Sequence, residues 1–416
     1  MKRVTATAAV RAIPDGSNVI LPGIAAHPAS FYQAFSAGVE RFQRLTLCSG
    51  MLFGGYEFLE KGLGEHFRYK TWQASPGLRS WLRGKGAGSI DYVPLRLGEL
   101  HRVVCRGGIL PPKVLILQTS VPAADGSVSL GISVGPNPAF IGEADLIIAE
   151  MNPSMPVTAG AARVPADRIH LAFESDAPLC EVSRGMPEAR EETIIDHVLD
   201  LIPDGATVQL GVGAVPDQVL SRLHQKRDIH LFSGLLTGGV MEFLDKASHQ
   251  PRITAGELAG NQGFYDFCGR TPLIEMAPTT VTHNVLRIAA QPGFVSINSS
   301  IEVDLQGQSN GEMIGTTQIS GVGGSQDYVE GACWSPGGRS IIAMPSTTAD
   351  GRHSRIVPAL TAGAAVTTPR YCTDYVVTEY GVAALKGRDL SARAEALIAI
   401  AHPEFRAGLQ AALTGG

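Results

Sequence analysis

Glycine spacing gives this chain its first chemical signal. Gly321-Val322-Gly323-Gly324 packs glycine densely, directly ahead of Ser325-Gln326-Asp327-Tyr328. Such a stretch lets backbone approach a ligand closely and turns successive N–H groups inward, which stabilises the oxyanion of an attacked carbonyl. The same residues would also serve as a bulged connection between strands. Gly211-Val212-Gly213, ahead of Pro216, reads as a strand-to-helix turn whose free amides attract anions. Its spacing, G-x-G-x-x-P, is not the dinucleotide fingerprint, and a purely structural turn explains it equally well. Two carboxylates end matching segments, Glu150 after Asp145-Leu146-Ile147-Ile148-Ala149 and Glu379 after Asp374-Tyr375-Val376-Val377-Thr378. Each is a candidate base, or a clamp for backbone amides or for an arginine such as Arg355 or Arg370. Ser299 to Gln308 mixes alternating apolar residues with carboxylates and reads as an exposed hairpin without chemistry. His27, His283 and His402 stand alone. H-E-x-x-H, G-x-S-x-G and G-x-x-x-x-G-K-[ST] are all absent from the sequence, so no metal site is expected and a serine hydrolase is poorly supported.

The elements that must carry these residues come in two copies. Ile13-Pro14-Asp15-Gly16 leads to Val19, Leu21, Gly23 and Pro28, and Ile202-Pro203-Asp204-Gly205 leads to Val208, Leu210, Gly211 and Pro216. Leu47-Cys48-Ser49-Gly50 through Gly54-Gly55 resembles Leu231-Phe232-Ser233-Gly234 through Gly238-Gly239. The segments ending in Glu150 and Glu379 make a third pair. Similar segments in the same order argue for an internal duplication. Each copy reads as α/β. Short apolar runs such as Val114-Leu115-Ile116-Leu117 fit strands buried on both faces, and Pro28 and Pro216 suit the first turn of a helix. The expected architecture is two similar open α/β domains, 1–182 and 193–416, joined by a polar linker from Val182 to Glu192, with a helix beginning near Thr193. The active site is expected in the interdomain cleft, at the carboxyl ends of the strands.

Composition narrows the function classes. Charged residues are 18% of the 416, and 34 Lys+Arg face 39 Asp+Glu for a formal net charge of −5. No basic run would neutralise a row of phosphates, so nucleic acid is not an expected partner. No apolar stretch approaches a membrane span and the N-terminus lacks a signal-peptide core. The six cysteines are widely spaced and form no C-x-x-C, which suits reduced thiols and a cytoplasmic location. The 48 glycines and 26 prolines are about 18% of the chain, below the level of low-complexity disorder.

Assembled in order, the segments resemble the acetyl-CoA hydrolase/transferase family of the 4-hydroxybutyrate CoA-transferase type, within the class I CoA-transferases. The resemblance is carried by Ser296-Ile297-Asn298, Glu302-Val303-Asp304-Leu305-Gln306-Gly307-Gln308, Gly321 to Gly324 with Asp327, Thr378-Glu379-Tyr380-Gly381 and Ala401-His402-Pro403-Glu404-Phe405. Gly23-Ile24-Ala25-Ala26-His27-Pro28 and Ala149-Glu150-Met151-Asn152-Pro153 carry it in the first half. It implies an acyl-CoA substrate and a carboxylate acceptor, no cofactor beyond the coenzyme A of the substrate, and a homo-oligomer, taken as a homodimer. It also implies that Gly211, Gly213, Asn298, Gly323 and Gly324 line the oxyanion and CoA site.

One departure stands out. The family's glutamate nucleophile, which passes the acyl group through an anhydride, belongs in a segment that here reads Phe232-Ser233-Gly234-Leu235-Leu236-Thr237-Gly238-Gly239. Anchored on Gly238-Gly239, the glutamate's position falls on Gly234, which has no side chain. Glu242, on the following helix, is the alternative nucleophile. Without one, the chain would activate water to hydrolyse a thioester, hydrolyse a C–C bond in a ring of a CoA ester, or bind acyl-CoA without turnover.

Overall fold

The computed structural model describes residues 1–414 apart from Lys85 and Arg184. The chain is a mixed α/β protein in two compact units, Met1–Ser183 with Ile253–Thr282, and Arg184–Arg252 with His283–Gly416. In the first unit the strands are β1 (Asn18–Ile20), β2 (Leu45–Ser49), β3 (Phe67–Thr71), β4 (Ile90–Tyr92), β5 (Val114–Thr119), β6 (Leu146–Met151) and β7 (Leu171–Glu174). With Lys2–Arg3 at one edge they form a sheet ordered Lys2–Arg3, β7, β6, β5, β1, β2, β3, β4. Every pairing in it is parallel. All six residues of β5 are buried, as its unbroken apolar run requires of a central strand covered on both faces. Helix α1 (Ala29–Ala37) starts immediately after Pro28 and lays Phe31 and Phe35 into an aromatic core with Phe42, Phe58 and Tyr69.

The second unit repeats the plan. Its strands are β8 (Thr207–Leu210), β9 (His230–Thr237), β10 (Phe294–Asn298), β11 (Arg339–Ala343), β12 (Tyr375–Thr378) and β13 (Gly381–Ala384). They run in the order β13, β12, β11, β10, β8, β9. The ladders are parallel except for the β12–β13 hairpin. Helix α2 (Ala189–Asp200) begins four residues earlier than the expected Thr193, because Glu188 and Glu191 close a capping box there. Helix α3 (Ala214–Arg222) follows Gly213, whose φ of +137° lies where glycine alone is comfortable, and Pro216 falls in its first turn. The helices α4 (Gly239–Lys246) and α5 (Ser325–Trp334) complete the set used below.

Sheet order separates the three repeated pairs. β1 and β8 are equivalent, and so are β2 and β9, each the neighbour of the first. The third pair is not: β6, which carries Glu150, lies second from β1, whereas β12, which leads into Glu379, lies third from β8. Any buried parallel strand entered through Asp and left through Glu reads alike in sequence, so this match does not identify equivalent strands. Another expectation also fails. The Ser299–Gln308 stretch is not an exposed hairpin, because Glu302, Val303 and Asp304 are all buried. Glu302 accepts from the Asn310 side chain and from the Thr361 amide and hydroxyl, so its charge is held by a hydrogen-bond network.

Residues 253–282 join the first unit through backbone bonds. The amides of Val134 and Gly135 both donate to Gly256 O, Leu258 N donates to Ile132 O, and Ala161 N donates to Met276 O. At this seam Glu257 is buried with its Oε1 against Gly135, where an added Cβ would lie 1.9 Å from that oxygen. Glu257 Oε2 is buried without a hydrogen-bond partner among the described residues. Burial pushes this carboxyl up to about 8, against a smaller pull from the Ser133 hydroxyl. The folded chain therefore holds a proton at neutral pH that the unfolded chain releases near the ordinary value of 4.5. Stability conferred by that proton is full below the unfolded value and is lost as pH climbs through about 8. The loss is at most on the order of 5 kcal/mol. Urea unfolding between pH 5 and 9 should show this decline in the natural chain and a much flatter profile in Glu257→Gln. Equal slopes in the two proteins would contradict it.

Candidate active site

The carboxyl edge of the second sheet collects the singled-out glycines. β10, β8 and β9 are parallel neighbours, so Asn298 at the end of β10, Gly211 just past β8 and Gly234 within β9 fall at the same end. Gly211 N donates to Ile297 O at 2.9 Å, and a Cβ at Gly211 would lie 3.5 Å from Asn298 Oδ1. Asn298 is itself held: its Nδ2 donates to Gln209 Oε1 at 3.2 Å and to Ser296 Oγ at 2.9 Å. Ser233 Oγ donates to Leu210 O at 3.2 Å, which fixes Gly234 beside Gly211.

Asp217 secures the turn that follows. It accepts from the Thr237 hydroxyl and, at 3.3 Å, from the Gly239 amide, so α3 holds the start of α4. A side chain at 239 would meet Asp217 O at 2.7 Å, which explains the glycine there. Glu242 lies farther along α4 on a partly exposed face and is ion-paired to Lys246 at 2.8 Å.

The group that does meet Gly234 is His283. A Cβ built on Gly234 would lie 2.7 Å from both Cε1 and Nε2 of the His283 imidazole and 3.2 Å from the Tyr328 hydroxyl. A Cβ built on Gly324 would lie 2.3 Å from the same Nε2 and 2.4 Å from Cδ2. One imidazole edge thus rests on two glycines, the first in β9 and the second the N-cap of α5. Gly323, just before that cap, has φ +57°, the left-handed turn that aims the chain into the helix. Tyr328, one turn into α5, packs its ring 5.0 Å from the imidazole and stacks on Phe294 of β10 at 6.3 Å. Burial drives His283 down to about 3, so the ring is neutral at physiological pH. Sequence reasoning singled out Gly234 and Gly324 separately and passed over His283. Only the fold joins positions 234, 283 and 324.

The two strand-end carboxylates have structural partners. Glu150 Oε2 accepts from Phe31 N at 2.8 Å, closing the first turn of α1. Burial raises its pKa, and that amide bond is the first of the pulls in the other direction. Glu379 accepts from Ser346 N at 2.8 Å and from Ser346 Oγ at 2.7 Å. Both therefore act as clamps for backbone amides, the second of the two roles open to them. A cavity of about 510 Å³ lined by Thr207, His230, Arg252 and Gln291 opens where β8 and β9 begin, at the end opposite the glycines. Among the described residues no helix is long and apolar enough to cross a membrane.

This fold and this edge define a class: parallel α/β enzymes whose ligand sites form at the carboxyl ends of their strands. Within it, the chain belongs to the acetyl-CoA hydrolase/transferase family. Residues 2–172 match that family's N-terminal domain and residues 260–413 its C-terminal domain. The 4-hydroxybutyrate coenzyme A transferase of Clostridium kluyveri is 38% identical over 98% of this chain and 96% of its own. The succinyl-CoA:cyclohexane-1-carboxylate CoA transferase of Geobacter metallireducens is 31% identical over 96% and 92%. The crystal structure of RipA from Yersinia pestis superposes with a TM-score of 0.92 at 28% identity, covering 100% of this chain and 97% of that one. That of 4-hydroxybutyrate CoA-transferase from Porphyromonas gingivalis does so with a TM-score of 0.82 at 32% identity over the same shares. The chain is an enzyme of this family.

Neither Gly234 nor Gly324 has a positive φ, so a methyl group there meets chiefly the imidazole, with the Tyr328 hydroxyl 3.2 Å from the one on residue 234. Gly234→Ala and Gly324→Ala should each cost about 1–3 kcal/mol in urea unfolding, the usual cost of overpacking. Combining either with His283→Ala should recover much of that cost. Strictly additive costs would show that the ring is not what the methyl group meets.

Proposed function

We propose that the chain hydrolyses an acyl-CoA thioester, with water taking the place of the family's glutamate. The observation that carries this reading is Gly234 under His283. At the position where the resemblance calls for a nucleophilic carboxylate there is no side chain, and an imidazole occupies the space that one would enter. An acyl-glutamyl anhydride cannot form at a glycine, and Glu242 is engaged with Lys246 on a partly exposed helical face. The rest of the edge suits a thioester. Gly324, the N-cap of α5, packs on the imidazole, and the first-turn amides of that helix would receive the oxyanion as water adds to the carbonyl. Gly211 and Gly213 leave the backbone bare at the β8–α3 turn, where it would lie along the CoA moiety. Asn298, held by Gln209 and Ser296, would line the same end.

The substrate class follows from the relatives. Their names carry 4-hydroxybutyrate, butyryl, succinyl and cyclohexane-1-carboxylate groups, and we take the CoA ester of a small organic acid as the substrate. One relative, from Candida albicans, is named acetyl-CoA hydrolase.

Turnover in oxygen-18 water, with mass analysis of both acid and protein, tests this. The product acid should carry one new oxygen-18, free CoA should appear in equal amount, and hydroxylamine should trap nothing on the protein. Adding acetate should not divert CoA into a new thioester. A trapped adduct on Glu242, or CoA transfer to acetate, would overturn the reading. A ring-opened diacid still joined to CoA would move the reaction to C–C hydrolysis.

A further inference from the structure

We propose that Cys333 and Cys372 form a dithiol site, which a peroxide converts into a disulfide that pins the end of α5 to the chain entering β12. The two residues are far apart in sequence and meet only in the fold. Cys333 lies in the last turn of α5, and its Sγ is 3.5 Å from the carbonyl oxygen of Cys372. The two thiols also share a hydrogen bond. Gln326 hydrogen-bonds the Cys372 thiol as well, and the Glu330 charge acts on it. With Cys333 these two stand at i, i+4 and i+7, which is one face of the helix. The Cys372 side chain is therefore laid against that face, with Cys333 at its end.

Both backbones are held, so the thiols stay together. Ser340 of β11 donates its hydroxyl to Cys372 O and accepts from Asp374 N at 2.9 Å, while its own amide donates to Asp374 Oδ2 at 3.1 Å. α5 closes with a bond from Ser335 N to Gly331 O at 2.9 Å. Cys333 is half-buried and Cys372 buried, yet their neighbours Trp334 and Tyr371 are largely exposed, so the pair lies just below the surface. Three of the other cysteines are less reactive. Burial pushes the thiols of Cys48 and Cys268 up to about 12 and raises that of Cys180. At Cys372 the hydrogen bond from Cys333 outweighs burial and lowers the pKa, which leaves the shared proton on Cys333. The thiolate is the nucleophilic form, so Cys372 is the sulfur that reacts first.

The step balances with hydrogen peroxide as the oxidant. The Cys372 thiolate attacks one peroxide oxygen, the O–O bond breaks, and the departing hydroxide takes a proton to leave as water. This makes a sulfenic acid at Cys372. Cys333 Sγ then attacks that sulfur, the S–S bond forms, and the second hydroxide leaves as water with the Cys333 proton. The two thiols together lose two electrons, and the peroxide is reduced to two waters.

The test exposes the full chain, first reduced, to graded hydrogen peroxide and maps its peptides by mass after alkylation of the remaining thiols. A crosslink between the Cys333 and Cys372 peptides, with loss of two hydrogens, should appear before any other cysteine is oxidised, and a thiol reductant should remove it. Cys333→Ser should stop Cys372 at a sulfenic acid that dimedone traps, and Cys372→Ser should leave Cys333 unoxidised at the same dose. Earlier oxidation of Cys105 or Cys180, or sulfinic acid at Cys372 with no crosslink, overturns the proposal. The crosslinked natural chain, with a closed loop of about forty residues, should unfold at a higher urea midpoint than the reduced chain. An unchanged midpoint with the crosslink present overturns the pinning of α5. A second probe needs no oxidant. A trivalent phenylarsenical, which bridges adjacent thiols, should be retained by the natural chain and lost from either serine variant. Retention by the variants, or none by the natural chain, overturns the pairing of the two thiols.

Discussion

The imidazole of His283 occupies space that two absent side chains leave, and three segments distant in sequence have to converge before it can. β9 must present residue 234 with nothing on its Cα, α5 must begin at a residue equally bare, and the chain ahead of β10 must deliver the ring between them. Each requirement constrains the elements around it. The Asp217 carboxylate holds the β9–α4 turn, Gln209 and Ser296 hold Asn298 at the end of β10, and the Tyr328 ring stacks between Phe294 and the imidazole. Interiors packed at crystal density tolerate few voids, so a vacated side-chain position is filled or collapses. Here it is filled by a polar ring.

The buried carboxylates illustrate how function and architecture divide similar residues. Glu150, Glu379 and Glu302 all lie at strand ends or within strands, and all accept from backbone amides or hydroxyls. Carboxylates so engaged fix loops in place and have little freedom to act on a substrate. Glu150 and Glu257 each keep one buried oxygen without a partner among the described residues, and burial raises both carboxyls; at Glu257, pushed up to about 8, the cost is met by protonation. A proton held by the fold serves there where a hydrogen-bond donor serves elsewhere.

The α/β class and the duplication were legible in sequence because both rest on local signals. Asp-Gly turns before apolar runs, glycines after them, and runs too apolar for an exposed strand recur in both halves and mark parallel strands directly. The pairing of the Glu150 and Glu379 segments was misleading for the same reason, since a buried parallel strand looks like any other and its place in the sheet is set by crossovers. Glu302 was misread as exposed because alternation reports which residues share a face and not whether a network waits to receive them. Gly234 was legible only as a departure from a resemblance. The ring that explains it comes from residue 283, and nothing local to that residue marks it. Its neighbours, Thr282 and Asn284, are as ordinary as those of any isolated histidine, and only the assembled sheet brings position 283 to position 234.

Water in place of a side-chain nucleophile, as proposed for this chain, would also change what the site has to exclude. A glutamate held in place provides its own effective concentration and can pass the acyl group on to a chosen carboxylate. Water is always present and cannot be chosen, so a site that uses it loses control of the acceptor and keeps control only of the acyl-CoA. Selectivity then rests entirely on the pocket that binds the thioester. The bare residue at 234 and the buried ring at 283 are coupled through packing in any case. A glycine without the imidazole would leave a void, and an imidazole without the glycine would have nowhere to sit.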